Sequence, residues 1–258
     1  MEKHQLLLLK KLWPLKHNWK NVFKALVIIF NNPNDTKQFF IIMRTLNNPA
    51  YMKAYLRFND NEIAKTKPEL ADILSDENLL DTMPPDSVGA KYKQFIKRYK
   101  FSARDLEKTS QLVMPEISNF ETIHWLQRRD RDAHDILHIL TGYDRSAFGE
   151  ICVQNFAYGQ LKATGQMLFV LTAFIKLIKD RLFYRIPAFF EAYDRGKHAS
   201  LLFTEDYYKL LFEPLAEARI RLNIKPAIKY NKTIRNLRAM RDIKLYVKTH
   251  RNKKRQTL

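Results

Sequence analysis

Residues 123–161, IHWLQRRDRDAHDILHILTGYDRSAFGEICVQNFAYGQL, decide the fold. Their apolar positions recur at helical spacing rather than in alternation, which predicts a helix from Ile123 through Leu140 and a second from about Ser146 to Leu161. Gly142 marks a short turn between them, so the second helix can fold back antiparallel on the first. Working outward, a third helix is expected from Gln166 to about Arg185, followed by helical segments at Glu191 to Lys197 and Asp206 to Leu222. Upstream, Trp19 to Phe30 and Lys37 to Leu46 form a helical hairpin broken at Asn31, Asn32, Pro33 and Asn34. Tyr51 to Arg57 and Leu70 to Leu80 are further helices, and Asp86 or Ser87 is placed to cap one that runs through Tyr92, Phe95 and Ile96.

Composition agrees with this helical reading. Glycine is scarce, at 6 residues, while the 17 Phe and 12 Tyr favour long regular elements over the frequent tight turns of an all-β chain. The expectation is an all-α fold: a single multi-helix domain with a helical N-terminal hairpin and a basic C-terminal helix or tail. Its parts are a helical extension over 1–79, a core over 80–224 and the tail over 225–258. At 258 residues with 46% hydrophobic content the chain can bury a substantial core. A single cysteine, Cys152, rules out an internal disulfide and fits a reducing compartment.

The formal charge of +18, from 45 Lys and Arg against 27 Asp and Glu, draws anions to the surface. Much of the excess lies after Ile224, where Lys225, Lys229, Lys232, Arg235, Arg238, Arg241, Lys244, Lys248 and Arg251 face one acid, Asp242. Ile234, Leu237, Met240, Ile243 and Val247 give this tail a loose apolar side, so it reads equally as a helix for an anionic membrane surface and as a solvated basic tail. Nucleic acid is disfavoured, because no zinc finger or run of stacking aromatics accompanies the charge. No stretch reaches the ~18–20 apolar residues of a spanning helix. The leucine run at Leu6 to Leu9, cut by Lys10, Lys11 and Pro14, makes a poor signal peptide. The sequence reads as cytoplasmic and of bacterial type.

The chemistry concentrates in the deciding stretch. His134 and His138 are four residues apart, one helical turn, so both rings lie on one face and can reach one ion. Glu150, carried back by the turn at Gly142, can meet the pair. Asp135 lies beside His134 as a fourth ligand, a partner that orients an imidazole, or a proton acceptor. Nitrogen and carboxylate ligands together suit a divalent ion such as Zn2+, Fe2+ or Mn2+. Arg129 and Arg131 are placed to pair with a substrate carboxylate or phosphate, or with Asp130 and Asp132 beside them. Spacing alone also allows a salt-bridged helix hairpin without a metal.

His134-Asp135-x-x-His138-x11-Glu150 resembles the signature of the ubiquinone (coenzyme Q) biosynthesis family of the fourth Coq protein and its bacterial relatives. Pro85-Asp86-Ser87-Val88-Gly89, with Tyr92 and Phe95, is similar to that family's Pro-x-Ser-Leu-Gly-x-x-Tyr-x-x-Phe segment. Leu140-Thr141-Gly142-Tyr143, Ala192-Tyr193-x-x-Gly196, Leu202-Phe203, Asp206-Tyr207 and Pro214-Leu215-Ala216-Glu217-x-Arg219 extend the resemblance from about Leu80 to Ile224. Leu137 departs from it, standing where the family commonly has Trp or Tyr.

The resemblance implies an all-helical fold and a divalent metal (Fe2+, Zn2+, Mn2+ or Mg2+) on His134, Asp135, His138 and Glu150. It also implies a prenylated quinone or other polyisoprenoid lipid in an apolar groove, peripheral attachment to the inner membrane, and work at C1 of the ring. Met167, Leu168, Phe169, Val170, Leu171, Phe174 and Ile175 are the groove candidates, with ordinary core as the plainer assignment. Other quinone-biosynthesis enzymes are implied as partners, and a homo-oligomer is left open.

Two histidines and a carboxylate leave open positions on an iron-like centre, which suits replacement of a ring carboxylate by hydroxyl. A non-enzymatic lipid-binding scaffold is the main rival reading. A phosphohydrolase would also use His134 and Asp135, but it needs a histidine farther upstream than His124 and nearer than His17. A di-iron bundle would need a better second pair than Asp135-x-x-His138 beside Glu121-x-x-His124.

Overall fold

The computed structural model describes residues 19–32, 35–58, 62–99, 108 and 121–241. The leucine run at Leu6 to Leu9 and the tail positions Ile243 and Val247 lie outside them. The fold is all-α, with no strand among the described residues. The N-terminal hairpin pairs α1 (Trp19–Asn31) with α2 (Thr36–Leu46), and α3 (Asn48–Phe58) follows with Pro49 in its first turn, where a missing N–H costs nothing. Short helices α4 (Glu62–Thr66), α5 (Leu70–Ser75) and α6 (Glu77–Asp81) lead to α7 (Val88–Tyr99). The expected single helix over Leu70 to Leu80 is split at Asp76. This residue takes an extended backbone, and its carboxylate accepts a hydrogen bond from the Leu79 N–H at 3.0 Å, ending one helix to cap the next. Of the two expected caps of α7, Ser87 serves: its hydroxyl accepts from the Ala90 N–H at 3.1 Å.

The deciding stretch forms α8 (Glu121–Thr141) and α9 (Ala147–Leu161). Gly142 terminates α8 with φ 77°, a left-handed conformation that glycine alone takes without cost, and its N–H returns to the His138 carbonyl at 2.9 Å. Ser146 caps α9 by accepting from the Gly149 N–H at 3.1 Å. Beyond it run α10 (Thr164–Lys179), α11 (Ile186–His198), α12 (Tyr207–Phe212) and α13 (Leu215–Arg221), then a helix over residues 228–241. The expected helix to Arg185 stops at Lys179, because Arg181 turns left-handed at φ 55°. Likewise the stretch from Asp206 to Leu222 is broken in two by Pro214, whose ring cannot continue a helix.

α8 is the hub, with α3, α5, α7, α9 and α13 all packed on it. Trp125, Leu126, Ile136 and Leu140 of this helix are fully buried. The two arginines near its middle hold it in place. Arg129, 3% exposed, donates from Nε to the Phe203 carbonyl at 2.9 Å and from Nη2 to the Glu205 carbonyl, with its guanidinium 4.7 Å over the Tyr207 ring. Arg131 forms a two-toothed ion pair with Asp132 at 2.6 and 3.0 Å. Asp130 takes a hydrogen bond from the Tyr51 hydroxyl at 2.7 Å rather than pairing with Arg129. Tyr51 in turn accepts from Asn47, whose Oδ1 receives the Gly165 N–H at 2.8 Å, so one buried polar chain joins α3, α8 and the start of α10.

Val88 and Leu215 stitch the α7 start to the α12–α13 link, their N–H groups donating to the Glu213 and Asp86 carbonyls at 2.9 Å each. The segments that carry the family resemblance on either side of the deciding stretch therefore meet. In the basic tail, Ala227, Tyr230 and Thr233 are buried and Ile234 packs on the core, while Ile228 and Met240 face outward.

Candidate metal centre

The tight α8–α9 turn brings together three of the four expected ligands. His134 Nε2 lies 3.0 Å from Glu150 Oε2, His138 Nε2 lies 3.3 Å from the same oxygen, and the two nitrogens are 3.2 Å apart. Ligand atoms each ~2.1 Å from one ion, separated by roughly 90–110°, would lie about 3.0–3.4 Å apart, so these spacings fit a single first-row cation. The imidazoles stand at 90° with centroids 4.9 Å apart, which lets both lone pairs converge.

Hydrogen bonding sets the tautomer of the second histidine. His138 Nδ1 is 3.0 Å from the Tyr143 carbonyl oxygen, which can only accept, so Nδ1 carries the proton. In the neutral ring Nε2 is then a bare lone pair aimed at a carboxylate oxygen. Two acceptors at 3.3 Å need a second proton or a cation between them. Burial works to raise the Glu150 carboxyl, but hydrogen bonds and charge from His134 and His138 outweigh it and hold the group well below the usual carboxylate range. His134 shows the reciprocal shift: burial pulls it down and Glu150 wins, pushing it up.

Asp135 does not join the three converging atoms. It is 2% exposed, and burial pushes its carboxyl up against the opposing pull of His134, His138 and Arg145. It therefore stands beside the cluster as a carboxyl whose proton is held more tightly than usual. Arg129 and Arg131, engaged with the Phe203 and Glu205 carbonyls and with Asp132, lie in the packing of α8 as described above.

Three residues around the cluster were not singled out from the sequence for these roles. Phe95 of α7 stacks on His138 with centroids 5.6 Å apart and a 29° interplanar angle. That supplies an aromatic neighbour to the second histidine, while Leu137, in the place where the family has Trp or Tyr, is buried in the core. Arg145, in the turn, places Nε 3.7 Å from Glu150 Oε1. Gln154, one helical turn beyond Glu150 on the same face of α9, sets its amide nitrogen 3.2 Å from His134 Nδ1 while its Oε1 is buried without a partner. The i, i+4 relation to Glu150 was the available signal for Gln154. Turning that amide over would put Oε1 against Nδ1–H, satisfy the orphan, and leave His134 Nε2 free to ligate. Gln154→Leu is expected to weaken metal affinity by about 10- to 100-fold, measured by competition with a chromophoric chelator.

Residues 52–227 match the family model described as "Coenzyme Q (ubiquinone) biosynthesis protein Coq4". The ubiquinone biosynthesis protein COQ4 homolog, mitochondrial, of Rattus norvegicus is 26% identical over 173 residues, covering 66% of this chain and 62% of the rat protein. The Mus musculus counterpart is 27% identical over the same coverage. The match thus spans somewhat under two thirds of these relatives' length. Among solved structures, that of a Nostoc punctiforme PCC 73102 protein, described as a candidate ubiquinone biosynthesis protein, superposes with a TM-score of 0.51. It covers 81% of this chain and 100% of that one at 17% identity, which makes it a likeness of fold. With the family model covering most of the described core, the chain belongs to the coenzyme Q (ubiquinone) biosynthesis protein Coq4 family.

Proposed function

We propose that this protein acts in ubiquinone biosynthesis as a metal-dependent enzyme that replaces the C1 carboxylate of a prenylated ring by hydroxyl at a membrane surface. The observation that carries the reading is the bare His138 Nε2 facing Glu150 Oε2 and His134 Nε2 within 3.3 Å, a donor set that suits Fe2+, Zn2+ or Mn2+. A bound ion of the iron type would supply dioxygen activation and Lewis-acid stabilisation of charge. The net change breaks the C1–carboxylate bond and forms a C1–O bond; carbon dioxide leaves, dioxygen is the oxidant, and an external two-electron reductant carries the second oxygen atom to water.

The chain's own residues have separable tasks. His134, His138 and Glu150 hold the ion; the Tyr143 carbonyl and Phe95 fix the His138 ring; Asp135 holds or moves a proton. Arg145, beside Glu150 with its side chain 32% exposed, is the cation placed to meet a substrate carboxylate, a task the sequence suggested for Arg129 and Arg131. The test is turnover of a C1-carboxylated prenyl phenol by purified protein with dioxygen and reductant. Carbon dioxide release that depends on added metal supports the reading, and release unaffected by chelation contradicts it.

Attachment to an anionic bilayer rests on two exposed apolar stripes. Met167, Leu171, Ile175 and Ile178 lie on one face of α10 and are 41–51% exposed, while Phe169, Val170, Ala173 and Leu177 face the core. The groove candidates therefore divide between the two faces. On α1, Trp19, Phe23 and Val27 are 47–63% exposed, and Lys176 and Lys179 of α10 reach Phe30 of α1. No described helix is long and apolar enough to cross a membrane, so a lipid role for these stripes would be interfacial. The double variant Leu171→Glu, Ile175→Glu is expected to lower binding to anionic vesicles by about 10-fold or more, read by co-sedimentation. The same stripes favour a second reading, a lipid-binding scaffold that docks other quinone-biosynthesis enzymes and uses the metal to fix its fold.

A further inference from the structure

On a different part of the surface from the metal cluster, a cavity of about 540 Å3 opens where the end of α8 meets α11, α13 and the start of the last described helix. Among the described residues its lining includes Arg195, Arg219, Lys225, Asn223 and Asn231, contains no Asp or Glu, and shares no residue with the cluster formed by His134, His138 and Glu150. We propose that this cavity is a binding site for a phosphate-bearing anion.

The competing explanation is that the two arginines only cap α8. Both do so: Arg219 donates to the Leu140 and Ile139 carbonyls at 2.9 Å each, and Arg195 donates to the Thr141 carbonyl at 2.9 Å and to the Lys225 carbonyl at 2.7 Å. A helix C-terminus, however, presents roughly half a negative charge. Two guanidinium groups and an ammonium exceed that several-fold, and no carboxylate in the lining makes up the difference. Arg195 is 5% exposed, and its guanidinium, 4.9 Å over the Tyr143 ring, also interacts with the Tyr143 side chain, so it adds positive charge behind the cavity wall. Burial, and then the charge of Arg195, push the Arg219 guanidinium down.

The donor count selects the class of ligand. A carboxylate brings one charge and two oxygens, whereas a phosphate brings close to two charges and three or more acceptor oxygens. That matches the Nη1 group of Arg219, which capping does not use, together with the Lys225 ammonium and the amide of Asn231 in the cavity lining. The phosphate could be free or belong to a lipid headgroup, since the chemistry of recognition is the same.

The test uses the full-length protein, stripped of metal so that phosphate cannot bind an ion at the histidine cluster, with calorimetric titration of inorganic phosphate, diphosphate and soluble dihexanoyl phosphatidic acid. Wild type and His138→Ala are expected to bind alike, while Lys225→Glu combined with Asn231→Asp weakens binding at least 10-fold. These two exposed positions leave the capping arginines intact, so the melting temperature should hold. Lys209→Glu, a charge reversal outside the cavity, should leave affinity unchanged. Tighter binding of the phosphatidic acid assigns the site to a headgroup, and equal binding assigns it to free phosphate. No binding to wild type at millimolar ligand, equal affinity in the cavity variant, or equal loss in Lys209→Glu would overturn the proposal.

Discussion

Glu150→Ala is expected to lower metal-dependent C1 turnover by more than about 100-fold, because loss of a ligand exceeds the 10- to 100-fold cost of losing a partner behind one. It should do so without unfolding the protein. The Glu150 side chain is 32% exposed and lies in the first turn of α9, where a negative charge contributes about 0.3–1 kcal/mol through the helix dipole. Its removal leaves two imidazoles that can remain neutral and bond to each other, so no buried charge is stranded. The melting temperature of the metal-free protein should therefore fall by only about 2–4 °C, as expected for a loss near 1 kcal/mol in a domain of this size. Turnover and circular-dichroism melts of wild type and variant, both after incubation with metal, separate the two readings of the function. A folded but inactive variant supports catalysis, and collapse of the fold supports a structural metal.

Gly196→Leu should produce the largest loss of stability. A Cβ at Gly196 would lie 2.0 Å from the Phe156 carbonyl oxygen and 2.7 Å from its carbon, and neither can rotate away because both are backbone of α9. Gly159 makes the reciprocal approach, with a Cβ 2.6 Å from the Tyr193 carbonyl oxygen. The two glycines let α9 and α11 touch along their backbones, and buried Asn155 secures the contact by donating to the Phe189 carbonyl at 2.7 Å. Forcing a leucine into this seam separates the helices. Overpacking costs about 1–3 kcal/mol where side chains can yield, and the fixed backbone places this site at or above the upper end. A fall in melting temperature of roughly 6–12 °C is expected, with metal affinity also reduced because α9 carries Glu150 and Gln154. An unchanged melt would contradict the close approach of α9 and α11.

Much of this architecture was legible in the sequence because its signals are local. The apolar period of α8, the glycine after Thr141 and the serine before Ala147 sit within a few residues of the boundaries they set. The His134–His138–Glu150 convergence followed from one helical turn and one short loop. Where the reading overran, the cause was also local but subtler: an aspartate that prefers capping to continuing at Asp76, a left-handed arginine at Arg181, and Pro214.

Contacts between distant segments were not legible. Sequence adjacency paired Arg131 with Asp132 correctly, yet Arg129 bonds to a carbonyl 74 residues away. Phe95 reaches His138 from another helix, and the basic cavity assembles from Thr141, Arg195, Arg219 and Lys225, whose proximity only the folded chain reveals. Asp135 shows the limit of spacing in the other direction: next to His134 in the chain, it points about 100° round the helix and stays out of the converging set.

The most direct test of the metal centre is elemental mass spectrometry of the purified wild type and of His138→Ala after reconstitution with Fe2+, Mn2+ or Zn2+. The account predicts about one ion per wild-type chain and little or none in the variant, with both proteins folded. Equal metal content in the two, or none in either, would contradict it.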